Sequence, residues 1–108
     1  MSFPDIVRRF EAAASGTDSF KTLYHDVFDL MKSDPANAGL YFVIGSAARS
    51  YVRRYEDQGI GPEFADRAKA TLVGFNARIV ECLGADAATK LRLLGEVAID
   101  YEWNVVDF

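Results

Sequence analysis

The clearest structural signal in the chain is the stretch AATKLRLLGEVAIDYEWNVVDF, residues 87–108. Its apolar side chains recur at alternating spacings of four and three residues, which places them on one stripe of an α-helix. A β-strand would instead need alternation with a period of two, and this stretch lacks it. The stripe consists of Ala87, Leu91, Leu94, Ala98, Tyr101, Val105 and Phe108. We therefore predict a C-terminal helix that packs this stripe against a hydrophobic core.

A second apolar strip, formed by Ile99, Trp103 and Val106, lies beside the first on the same predicted helix. The helix thus has more apolar surface than one packing partner requires. Tryptophan is enriched at the centres of protein contacts because it buries a large area on few rotatable bonds. We interpret the strip as an interface, with homodimerisation expected. The alternative is a central helix that is buried on two sides within one monomer.

The rest of the chain shows helical spacing as well, interrupted by capping residues, glycines and prolines. The first predicted segment is a short helix that begins at a capping box formed by Ser2 and Asp5 and ends at about Ser15. The next two run from Thr17 or Asp18 to about Lys32 and from about Pro35 to Asp57. A fourth helix runs from Pro62 to Gly84, and the final helix follows its cap at Asp86. Connections of only a few residues favour antiparallel neighbours. The sequence therefore predicts an all-α fold in one domain, residues 1–108. Its architecture is a compact antiparallel bundle of about four longer helices plus a short N-terminal helix.

Gly39, Gly45 and Gly95 are three of the glycines that fall inside the predicted helices. Each weakens a helix by roughly 0.5–1 kcal/mol relative to alanine, so each needs a reason. For Gly39 we expect a late start of the third helix, and for Gly45 a close contact between helices. Gly95, inside the final helix, counts mildly against that helix.

Composition limits the classes of function. The chain has 108 residues, 50% of them hydrophobic, which is enough to bury a core without metal or disulfide cross-links. Its formal net charge of −4 argues against binding to nucleic acid, because that affinity comes mainly from clustered Lys and Arg. The sequence lacks the pattern of a secretory signal and the long apolar run of a membrane span. We therefore expect a cytoplasmic protein with no membrane or nucleic-acid partner.

The residue types needed for catalysis are scarce. His25 is the only histidine, which excludes zinc helices and other sites that need several histidines. Cys82 is the only cysteine, and we expect it to be a small core residue rather than a reactive thiol. His25 follows Tyr24 and precedes Asp26, a setting typical of a polar helix face. The sequence therefore predicts no catalytic residue, no metal site and no cofactor.

One cluster of positive charge stands out on the third predicted helix. Arg49, Arg53 and Arg54 lie within two turns of each other, with Arg49 and Arg53 one turn apart. We expect a solvated face or cross-helix ion pairs, and the alternative is a site for an anionic ligand or nucleic acid.

Two functions from different classes fit these features. The first is a non-enzymatic protein-interaction, regulatory or inhibitor module that acts through the surface of the C-terminal helix, as a homodimer. The alternative is a bundle that binds or senses a small apolar ligand, which the aromatic content of 13% allows.

Overall fold

Five helices form the protein, as seen in a computed structural model that describes residues 1–105 and 107–108. They are α1 (Phe3–Ala12), α2 (Thr17–Ser33), α3 (Ala38–Tyr55), α4 (Pro62–Leu83) and α5 (Ala87–Ile99). A 3-10 turn at Pro35–Asn37 precedes α3, and a π-helical turn at Asp100–Asn104 continues α5. The chain is 82% helical, and none of the described residues belongs to a β-strand. The predicted all-α class is thus confirmed.

Side-chain caps mark where two of the five helices, α1 and α5, begin. Ser2 and Asp5 form the predicted capping box of α1, and the Asp86 side chain accepts a hydrogen bond from the backbone N–H of Thr89 at 2.8 Å. The predicted end of the first helix at about Ser15 is wrong. The backbone is already extended at Ala13, so α1 ends at Ala12. Gly16 is the N-cap residue of α2.

Packing arranges four helices in a closed ring and places the fifth outside it. Helix α1 contacts α2 and α4, α2 contacts α3 most extensively, and α3 contacts α4. Helix α5 packs mainly on α4 and touches α3. Large aromatic side chains fill the centre: the rings of Phe10 and Phe20 lie 5.2 Å apart edge to face, and those of Phe20 and Tyr51 stack at 4.1 Å. This is the compact bundle predicted from the sequence.

The glycines of α3 behave as the sequence predicted. A Cβ atom at Gly45 would lie 2.7 Å from Cζ of Phe28, which is too close, so the glycine allows α2 and α3 to approach each other. Helix α3 begins at Ala38, one residue before Gly39, after the 3-10 turn.

The face of α5 that meets the core is only partly the predicted one, because Leu94 packs against the core as predicted but other residues of the stripe do not. Val97 is fully buried and Leu93 is 8% exposed, whereas Leu91 is 71% exposed and Ala98 is also exposed. Farther along the chain the prediction is right: Tyr101, Val105 and Phe108 pack against the core.

The π-helical turn accounts for this difference. A π turn holds one residue more than the i→i+4 pattern of an α-helix, so the helical phase shifts there by about one residue. In an unbroken α-helix, Ala98 and Leu91, which lie seven and fourteen residues before Val105, would share its face. With the extra residue of the π turn, the core face of α5 instead carries Val97 and Leu93.

Candidate functional site

An exposed apolar ridge runs along the outer side of α5. It consists of Leu91, Gly95, Ile99 and Trp103, each four residues after the one before, and we refer to it as the α5 ridge. The side chains of Ile99 and Trp103 are 60% and 75% exposed, and Leu91 is equally open to solvent. The structure thus places two of the predicted interface residues together on the surface. Val106, the third, lies outside the described residues.

Gly95 has no role in the internal packing of the bundle. A Cβ atom there would meet no described atom within 4 Å, in contrast to the crowded Gly45. Alanine at this position would strengthen α5, so the glycine is not explained by the stability of the monomer. A glycine in the middle of an exposed apolar ridge allows another backbone to come close.

Charge is divided along α5 and the turn that follows it. Lys90 and Arg92 lie in the first half, whereas Asp100, Glu102 and Asp107 lie at the far end. Two of these charged residues form ion pairs: Arg92 pairs with Glu96 at 2.7 Å, and Asp100 pairs with Arg78 of α4 at 2.5 Å. Hydrogen bonds from Arg78 and Asn104 lower the pKa of Asp100, which therefore stays charged. The basic residues of α5 are thus confined to its first half, after the acidic cap Asp86, and the charged residues from Glu96 onward are all acidic.

A groove of about 310 Å³ opens beside the first half of the α5 ridge. Its walls are mostly apolar and come from the 3-10 turn, the start of α3 and α5: Ala36, Asn37, Gly39, Leu40, Ala87, Lys90, Leu91 and Leu94. We call it the α3–α5 groove. A Cβ atom at Gly39 would meet no described atom within 4 Å, so this glycine leaves the groove open.

Hydrogen bonds fix one wall of the α3–α5 groove. The hydroxyl of Tyr41 donates to Oδ2 of Asp34 at 2.6 Å, and Nδ2 of Asn37 donates to the same oxygen at 3.0 Å. Nζ of Lys90 donates to Oδ1 of Asn37 at 3.1 Å and so joins α5 to this network. The two hydrogen bonds to Asp34 lower the pKa of its carboxyl group, while burial and the contact with Asp34 raise the pKa of Tyr41. Sequence reasoning missed the network, because its members belong to four separate segments.

The three arginines of α3 are only partly brought together. The guanidinium of Arg49 lies 4.8 Å from the ring centre of Phe28, and that of Arg54 lies 5.6 Å from the ring centre of Tyr55. Arg53 is exposed. None of them forms an ion pair with a described residue, and Arg53 and Arg54 are exposed, which agrees with the solvated face rather than with the cross-helix ion pairs.

A second groove, of about 520 Å³, lies between α1 and α2. Apolar side chains such as Phe10 and Leu23 form its floor, and Arg9 and Asp26 are ion-paired at its wall. Its size falls within the range of small-molecule sites. This groove is where the structure offers space to an apolar ligand.

The residues considered for chemistry lie apart from one another. His25 is exposed, with its ring 4.4 Å from that of Tyr24. Cys82 is buried, its thiol points to the carbonyl oxygen of Lys90 at 3.7 Å, and burial raises the pKa of the thiol. Within the described residues, no group of three or more His, Cys, Asp and Glu side chains is placed to hold a metal ion. The described helices also include none with the length and apolar character needed to cross a membrane.

One polar residue lies in the core without a visible reason in the sequence. Asn76 of α4 is fully buried, and neither its Nδ2 nor its Oδ1 has a hydrogen-bond partner among the described residues. Such groups are rare in folded proteins because burial without a partner is unfavourable. Its position among apolar neighbours gave no sequence signal of function.

Comparisons of this chain with protein-family models, curated proteins and solved structures find no match.

Proposed function

We propose that this protein is a non-enzymatic interaction module, of the kind that serves as a regulator, adaptor or inhibitor, and that it acts through the α5 ridge as a homodimer. One observation carries the proposal. The core of the bundle is complete without Leu91, Ile99 and Trp103, yet these three large apolar side chains lie together on one exposed ridge.

Physical reasons favour a protein contact over a bare surface. Contiguous apolar patches on a monomer mark interaction sites or cause aggregation. An apolar ridge that ends in a tryptophan, with charged residues around it, matches the usual composition of an interface, an apolar centre with a polar rim. Here the rim is supplied by Arg92, Glu96 and Glu102. The exposure of Trp103 also disfavours the alternative of a helix buried on two sides of one monomer.

Sedimentation velocity of the wild type and of Trp103→Ala tests the proposal. We expect a wild-type dimer whose dissociation constant rises at least 30-fold in the variant, which corresponds to about 2 kcal/mol. The unfolding of the monomer should be unchanged, since the indole contributes little to the core. Phe42→Ala is the control, because Phe42 is a half-exposed aromatic residue of α3 outside the α5 ridge. A wild type that remains monomeric at high concentration contradicts the proposal, as does a Trp103→Ala variant that only unfolds.

The groove between α1 and α2 favours a second candidate function, the binding of a small apolar ligand. Its volume and its apolar floor support this alternative. Native mass spectrometry of the purified protein should then show a bound small molecule. Ala14→Phe, which fills the groove from its exposed edge, should remove the added mass. An unmodified mass for the wild type after gentle purification, and no binding of an apolar fluorescent probe, would exclude this function.

A further inference from the structure

The α3–α5 groove and Trp103 lie at opposite ends of the same helix. At a rise of about 1.5 Å per residue, the distance along the helix to Trp103 is about 14 Å from Leu94, the nearest groove residue of α5, and about 24 Å from Ala87, the farthest. A tryptophan side chain is far shorter than this, so Trp103 cannot fill the groove of its own chain. One copy therefore presents an exposed indole and, well separated from it, an open apolar groove.

Gly95 is the midpoint between these two features. Leu91 and Ile99 are each four residues from it, and Ala87 and Trp103 are each eight. If two copies of α5 pair antiparallel about a two-fold axis beside Gly95, Ile99 of each copy comes level with the partner's Leu91, and Trp103 with the partner's Ala87. The largest side chain of the ridge then faces the small residue Ala87 at the α3–α5 groove, and the closest approach falls at Gly95, the residue without a side chain.

Charge favours the same orientation. The acidic end of the helix, with Glu102 and Asp107, would approach the half that carries Lys90 and Arg92 in the other copy. Parallel pairing would bring like charges together instead, which is unfavourable across an interface. The division of charge along α5 is thus complementary to its own reverse.

We infer that the partner in the proposed function is a second copy bound antiparallel across Gly95, and that Trp103 of each copy occupies the α3–α5 groove of the other. This inference rests on the proposed homodimer and adds its orientation and its anchoring residue. The groove volume of about 310 Å³ accommodates an indole ring, and its apolar walls suit one. The hydrogen-bond network of Asp34, Asn37 and Tyr41 holds the groove open before binding, which lowers the entropy lost on association.

Gly39→Leu tests the groove, because a Cβ atom at Gly39 meets no described atom within 4 Å and the larger leucine side chain would take up space in the groove that Gly39 lines. We expect this variant to raise the dissociation constant of the dimer at least tenfold. Trp103 is the only tryptophan, so its fluorescence reports its own burial. The emission should shift to the blue as wild-type protein is concentrated, and it should remain that of an exposed indole in Gly39→Leu. Gly74→Leu is the matched control: Gly74 is also an exposed helical glycine with open space around it, but it lies on α4.

Disulfide cross-linking tests the orientation. A mixture of Leu91→Cys and Ile99→Cys proteins should form mixed disulfides, whereas neither variant alone should form a dimer through its new cysteine. Cys82 is buried and does not interfere. Parallel pairing predicts the reverse result, in which each variant cross-links with itself.

The outcomes separate this inference from the proposed function. A wild-type dimer that is weakened by Trp103→Ala but not by Gly39→Leu, or that cross-links in the parallel pattern, overturns the inference and leaves the interaction surface in place. A wild-type monomer at all concentrations overturns both. Loss of the dimer in Gly39→Leu, with Gly74→Leu unaffected and mixed disulfides formed, supports the full geometry.

Discussion

Replacing Gly95 by alanine should stabilise the monomer and weaken the dimer at the same time. The new Cβ atom meets no described atom within 4 Å, so nothing in the bundle opposes it. Alanine is better than glycine in a helix interior by roughly 0.5–1 kcal/mol, because glycine loses more backbone entropy on folding. We therefore expect the free energy of unfolding of the monomer to rise by that amount.

The same methyl group has the opposite effect across the two-fold axis. Each copy contributes one, and both lie where the two backbones come closest, so the helices must move apart and the contacts of Ile99 loosen. We expect the dissociation constant of the dimer to rise at least tenfold, or about 1.4 kcal/mol. Few substitutions that strengthen a helix weaken an assembly, so the combination is diagnostic.

Two other glycines serve as controls for Gly95→Ala. Gly74→Ala should raise monomer stability by a similar amount and leave the dimer unchanged, since Gly74 is exposed on α4. Gly45→Ala should lower stability by about 1–3 kcal/mol, because its Cβ atom would push against the ring of Phe28. Urea unfolding at concentrations below the dimer dissociation constant gives the monomer values, and sedimentation equilibrium gives the association. Unchanged or tighter association of Gly95→Ala would refute the reasoning.

The remaining predictions concern the fold. Leu93→Ala should lower the free energy of unfolding by about 2–5 kcal/mol, because Leu93 is buried. Leu91→Ala should change it by less than about 0.5 kcal/mol in dilute solution, because Leu91 is exposed. Equal losses of the two variants in urea unfolding would mean that the face of α5 is wrongly assigned. Asn76→Leu should raise stability by about 1–3 kcal/mol, since it replaces an unpaired buried amide by an apolar side chain of similar shape, and a lower melting temperature would reveal a hidden partner. Because the pKa of Asp34 is lowered in the folded state, its contribution to stability is present above the ordinary value of 3.8 and is lost as the pH falls through the lowered value. Thermal melts between pH 5 and pH 2 should therefore show a smaller acid-induced loss for Asp34→Asn than for the wild type, and parallel curves would argue against the contacts with Tyr41.

The helices could be predicted from the sequence because their signals are local. A cap such as Asp86, a proline in the first turn such as Pro62 and a terminal glycine such as Gly84 act within a few residues, and all three mark helix ends in the structure. The end of α1 was misplaced because the residues after Ala12 carry no strong stop signal. Periodicity then identifies each element as helix without any knowledge of its neighbours.

The site was predicted only in part, for the same physical reason. Ile99 and Trp103 are apolar residues on one side of one helix, a local pattern, and the structure exposes both. The α3–α5 groove combines the start of α3 with the start of α5, which are about fifty residues apart in the chain, so no local pattern announces it. Its most informative residue is Gly39, which we explained from the sequence only by a late start of the third helix.

The π-helical turn explains how α5 serves two surfaces at once. A regular α-helix that buries Leu93 and Val97 would carry Val105 away from the core, and the extra residue of the turn brings it back. The inward face of α5 and of the turn after it therefore packs against the core without any contribution from Ile99 and Trp103. A monomer would gain solubility from polar residues at these two positions, and nothing in the bundle prevents them. A second copy that covers the outer side of α5 accounts for both features together. It explains the apolar side chains of Ile99 and Trp103, which the fold does not need, and it explains Gly95, which weakens the helix.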